Sequence, residues 1–135
     1  SLDDIANILK YELIMKNKNI INSFKYAGTG IKSSIKSERN LKIHLTIMLL
    51  VIISGFILKI SLTEWLICLI LFGLVISAEL FNTAIEITLD LITTEINPQV
   101  KRAKDISAGA VLITAISSAI IGLIIFIPKL VNIFP

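Results

Sequence analysis

An all-α integral membrane protein, with an N-terminal amphipathic interfacial helix ahead of three transmembrane helices, is the fold implied by this chain. Three observations point to it. Hydrophobic residues make up 55% of the 135 residues and mean hydropathy is +0.86, more apolar surface than a soluble domain of this size can bury. The excess is gathered into three stretches, about Leu45 to Ile60, Trp65 to Ala78 and Ile106 to Ile127. The basic residues are gathered as well. Lys25, Lys32, Lys36, Arg39 and Lys42 precede the first stretch, Lys101, Arg102 and Lys104 fall between the second and third, and Lys59 alone joins the first to the second. By the positive-inside rule the N-terminus and the second connection are cytoplasmic, and the C-terminus, with Lys129, is outside. The net charge of +3 is thus a matter of membrane orientation, and no nucleic-acid partner is expected.

Taken in order, residues 1–19 are a polar N-terminal extension with no assigned function. Leu2, Ile5, Leu9 and Leu13 stand at helical spacing, and Asp3 and Asp4 suit a helix start; the segment is a short surface helix or a mobile tail. Residues 20–135 form one membrane domain. Over 20–36, Ile20, Phe24, Ala27, Ile31 and Ile35 face away from Asn22, Lys25, Thr29, Lys32 and Lys36. That pattern predicts a helix lying in the membrane interface, a packed cytoplasmic helix being the alternative.

The hydrocarbon core is ~30 Å thick and needs ~20 helical residues. The first span, about 41–58, meets this if Lys42 and His44 sit near the headgroups, and its length marks it as a span rather than a secretory signal. Residues 59–63 make a tight turn, and Trp65 suits an interfacial belt. The second helix, about 62–93, is ~48 Å long and projects beyond the bilayer. Asn97-Pro98 marks the next turn, and the third helix, about 100–127, is expected to end before Pro128. Cys68, the one cysteine, reads as core or lipid-facing filler.

The second helix contains Glu79, Asn82, Glu86 and Asp90. Steps of three, four and four place them within an arc of ~80° on one face. An ionisable group inside an apolar span costs several kcal/mol unless it is paired or hydrated, so Glu79 points to function. The stripe starts inside the cytoplasmic half of the bilayer and ends in water, which suits a reaction between a lipid headgroup and a water-soluble cosubstrate. Glu38 and Arg39 flank the first span on the same side, and Lys101, Arg102, Lys104 and Asp105 flank the third. Carboxylates for Mg²⁺ and cations for phosphate are what a magnesium nucleotide requires. From the residues alone two other readings stay open: an interhelical clamp in a non-catalytic membrane oligomer, and an ion pathway, which the apolar run before Glu79 disfavours.

Glu79-Leu-Phe-Asn-Thr-Ala-Ile-Glu86 with Asp90, and Lys101-Arg-Ala-Lys-Asp-Ile-Ser-Ala-Gly-Ala-Val111, resemble the signatures of the prokaryotic diacylglycerol kinase family. The resemblance runs from about Ile20 to Ile127. Ser37-Glu-Arg-Asn-Leu-Lys-Ile-His44 is similar to the Gram-positive branch, whose members phosphorylate undecaprenol rather than diacylglycerol. The resemblance implies a homotrimeric bacterial cell-membrane kinase that takes MgATP and a lipid alcohol. It implies Glu79 as general base, Asn82 as the amide beside the reacting groups, and Glu38 and Glu86 as metal carboxylates. Tyr26, Lys104 and Asp105 would contact the nucleotide, as would Glu95 to Asn97. An arginine of some members is replaced by Asn19, and His44 reads as a branch marker at the interface.

Overall fold

The computed structural model describes residues 1–16 and 20–134. Five helices, and no strand among the described residues, make up the chain. It divides into two compact units, Ser1–Lys36 and Ser37–Pro135. The first holds α1 (Leu2–Lys16) and all but the last residue of α2 (Ile20–Ser37). Asp3 and Asp4 lie in the first turn of α1 and Lys36 in the last turn of α2, each where its charge suits the helix dipole. Asn19 lies outside the described residues.

The second unit is a three-helix bundle of α3 (Arg39–Ile57), α4 (Leu62–Ile92) and α5 (Pro98–Ile133). All three are long and apolar enough to cross a membrane, so the chain is a membrane protein. α4 is central and packs against both neighbours. At 1.5 Å per residue α4 is ~46 Å long and α5 ~54 Å, so both exceed a ~30 Å hydrocarbon core. Large apolar side chains such as Leu50, Leu69, Leu74, Ile113 and Ile124 point outward and are more than half exposed, as lipid rather than water allows.

The ends of these helices follow from local chemistry. α3 closes with Ile60 N–H donating to the Gly55 carbonyl (3.1 Å) and Lys59 N–H to that of Phe56 (3.4 Å), with Lys59 in the left-handed region at φ 51°. This is a Schellman closure with lysine where glycine is commonest. α4 opens on a capping box: Ser61 Oγ accepts from Glu64 N–H (3.2 Å) and Glu64 Oε2 accepts from Ser61 N–H (2.7 Å). α5 opens on Asn97, whose Oδ1 accepts from Gln99 N–H (2.8 Å) and Val100 N–H (3.4 Å), with Pro98 in the first turn.

Two expectations change. The third helix does not stop at Pro128 but continues through it to Ile133. Proline forfeits one backbone hydrogen bond and crowds the carbonyl four residues back, a defect that membrane helices tolerate where neighbours compensate. Just beyond it, Lys129 Nζ lies 3.1 Å from Glu64 Oε2 and ties this end of α5 to the start of α4.

Trp65 is also more than a belt residue. Its ring packs 4.9 Å from that of Phe56, tilted by 49°, and lies over Gly55, where an added Cβ would meet the indole at 2.7 and 2.9 Å. Beside it Ile60, Cys68 and Ile125 form a small core, so Cys68 is interior filler. Gly55→Ala should overpack this contact and cost about 1–3 kcal/mol, read as a lower unfolding temperature in detergent.

Candidate active site

The acidic stripe forms a gradient along α4. Glu79 is 3% exposed and Asn82 9%, Glu86 is half-buried, and Asp90 is exposed. Thr83, beside Asn82 in sequence, is also buried. Burying a carboxylate is costly without a partner, and Glu79 has one: His44 Nε2, on α3, lies 3.1 Å from its Oε1. One helical turn on, Asn82 Nδ2 donates to Glu86 Oε1 (3.0 Å). Asn82 Oδ1 is fully buried and has no hydrogen-bond partner, an acceptor positioned for a donor or a cation that is not part of the chain.

Glu79 and Asn82 line a cleft of about 270 Å³ together with Asn40 and His44 of α3 and Ala108 and Val111 of α5. A second, larger cleft of about 470 Å³ lies between the same three helices. Of its lining only His44, Ser118 and the Cys68 thiol offer a polar side-chain group; Met48, Phe72 and Phe126 are typical of the rest. His44 and Ala115 line both clefts, which are therefore neighbours.

The other candidate residues are distributed around the α4–α5 turn and the start of α3. Lys104 Nζ pairs with Asp90 Oδ1 at 2.5 Å, joining the end of α4 to the beginning of α5. Asp105 pairs with Lys101, one turn away on α5. Glu95 N–H donates to Thr93 Oγ1 (3.1 Å), and the side-chain oxygen of Asn97 is engaged in the α5 cap. Glu38 takes the N-cap position of α3, but its side chain makes no cap hydrogen bond; its Oε1 accepts from Ser37 Oγ (2.8 Å). Tyr26 stands on α2, in the first unit, and is exposed.

Among the described residues no three His, Cys, Asp or Glu side chains converge as a metal cage. Mg²⁺ does not need one, because it binds through one or two carboxylates and takes its other ligands from phosphate and water. Hard oxygens of the kind it takes stand on the Glu86 carboxylate and the orphaned Asn82 Oδ1, one turn apart on α4, and on the Glu38 carboxylate at the start of α3.

His44, expected as a branch marker at the interface, is also the partner of Glu79. Its position on α3 gives no hint of a partner 35 residues later.

Fold and site together define a small three-span membrane protein whose buried carboxylate and amide line a cleft beside a larger apolar one between the helices. The model of the family described as prokaryotic diacylglycerol kinase matches residues 25–126, and the chain belongs to that family. It is 49% identical to the undecaprenol kinase of Bacillus subtilis over 108 residues, covering 80% of this chain and 88% of that one. It is 33% identical to a diacylglycerol kinase of Synechocystis sp. over 115 residues, covering 84% of this chain and 66% of that one. The matched region includes both motifs and every candidate site residue.

Proposed function

We propose that this protein transfers the γ-phosphoryl group of ATP to the hydroxyl of a membrane lipid alcohol, undecaprenol, at the cytoplasmic face of a bacterial cell membrane, working as a homotrimer. The observation that supports this reading best is the pair of neighbouring clefts, one with polar and one with apolar lining, that share His44 and Ala115. An amphipathic alcohol needs a polar place for its hydroxyl and an apolar one for its chain, side by side.

In this reading the hydroxyl enters the polar cleft and donates to Asn82 Oδ1 or Glu79. Glu79 removes its proton as the oxygen attacks the γ-phosphorus, and the bond from that phosphorus to the bridging oxygen of ADP breaks. The proton rests on Glu79, and ADP leaves with the charge of the broken bond. Such transfer depends on positioning and charge neutralisation more than on covalent chemistry. Glu38 and Glu86 would hold Mg²⁺, which when bound neutralises phosphate charge. Lys104, with Asp105 and the Glu95–Asn97 segment, would hold the nucleotide. Lys104 is already turned toward the acidic stripe by Asp90. α2 would lie in the interface with its lysine face toward water.

The choice of acceptor rests on the apolar cleft and on the relative named undecaprenol kinase. Diacylglycerol brings two ester carbonyls, for which the apolar cleft offers few donors, whereas a polyprenol has none to satisfy. The similarity to a diacylglycerol kinase supports that lipid as the alternative. The two are separated by kcat/KM for each lipid in the same mixed micelles. Undecaprenol should be favoured by about tenfold or more; a preference for diacylglycerol would reassign the acceptor.

A further inference from the structure

We propose that His44 is a positioning residue for Glu79: its imidazole holds one oxygen of the buried carboxylate so that the other is presented to the acceptor hydroxyl. This rests on the reading of Glu79 as the base. Four observations support it. Glu79 is 3% exposed, so water cannot be its main partner. His44 Nε2 is 3.1 Å from Oε1. His44 comes from α3 while Glu79 is on α4, so the contact fixes the carboxylate from a separate helix. Finally, His44 lines both the polar and the apolar cleft, and so stands where an acceptor's hydroxyl meets its chain.

The physical argument concerns rotation. A glutamate side chain has three rotatable bonds, and a carboxylate with no partner on a neighbouring helix can turn away from the acceptor. Proton transfer requires the base within about 2.6–3.2 Å of the proton's donor atom. Holding Oε1 from α3 leaves Oε2 as the accepting oxygen and restricts where it lies. The role differs from that of the Asn82–Glu86 pair, which joins two residues of one helix and cannot register α4 against α3.

The test uses the full chain in lipid-containing micelles. His44→Leu keeps an apolar side chain of moderate size; His44→Gln restores an N–H group near the place of Nε2. His44→Leu should lower kcat by about 10–100-fold, the usual cost of losing an orienting partner, with the KM for MgATP changed by less than about twofold. His44→Gln should recover much of the loss. In a Glu79→Gln background, His44→Leu should cost nothing further, because the group it positions is already gone. Helix content and oligomer size of each variant report folding separately from these ratios. Normal turnover by His44→Leu would overturn the proposal while leaving Glu79 as base, and so would losses that multiply in the double variant. Should Glu79→Gln itself stay active, the base assignment fails, and the positioning role with it.

Discussion

Glu79→Gln should lower kcat by about 10²–10⁴-fold, the usual contribution of a general base, while the KM for MgATP changes little. Glutamine keeps the size and polarity of the side chain, so the clefts on either side of His44 retain their shape. It cannot accept a proton at neutral pH. An interaction needed only in the transition state lowers kcat when removed, whereas one that holds ATP raises KM. Steady-state kinetics with MgATP varied at saturating lipid check this. A KM that rises in step with the fall in kcat would make Glu79 a ligand rather than the base.

Glu86→Gln should remove nearly all activity in a chain that still inserts and assembles. Glu86 is half-buried on the stripe, one turn beyond Asn82, so neutralising it does not disturb the core at Ile60, Cys68 and Ile125. Its expected work is to hold Mg²⁺, and an amide is a poor substitute for a carboxylate there. The variant also keeps an acceptor oxygen for Asn82 Nδ2, which isolates loss of charge from loss of the hydrogen bond. Glu38→Gln should show the same defect, because two carboxylates on different helices would share the ion. Turnover measured across a Mg²⁺ titration decides it. Normal rates at saturating Mg²⁺ would remove Glu86 from the metal site.

Much of the fold was legible in the sequence because its signals are local. Apolar runs of sufficient length, the lysine clusters, Asn97-Pro98 and the i, i+3, i+7 spacing of Glu79, Asn82 and Glu86 depend on near neighbours, and the helices fall close to where those signals place them. Pro128 misled because its cost is weighed against a whole helix whose far end is anchored by Lys129 on Glu64. The common face of Glu79, Asn82, Glu86 and Asp90 was legible as well, since it follows from steps of three and four along one helix.

The contacts between helices were not legible. His44 with Glu79, Asp90 with Lys104 and Trp65 over Gly55 depend on how α3, α4 and α5 register against one another, which no single helix pattern encodes. The clefts were hidden for the same reason. Met48, Phe72 and Phe126 look like ordinary span residues until three helices bring them around one space.

The most direct measurement is transfer of labelled phosphate. Purified protein in mixed micelles with undecaprenol receives ATP labelled at the γ-position, and label is followed into the lipid phase. Labelled undecaprenyl phosphate should accumulate with Mg²⁺ present, stop when the ion is chelated, and resume when Mg²⁺ is restored. If folded protein labels neither undecaprenol nor any other lipid alcohol under these conditions, the account of this protein as a lipid kinase is contradicted, and the stripe on α4 is a clamp within a non-catalytic membrane oligomer.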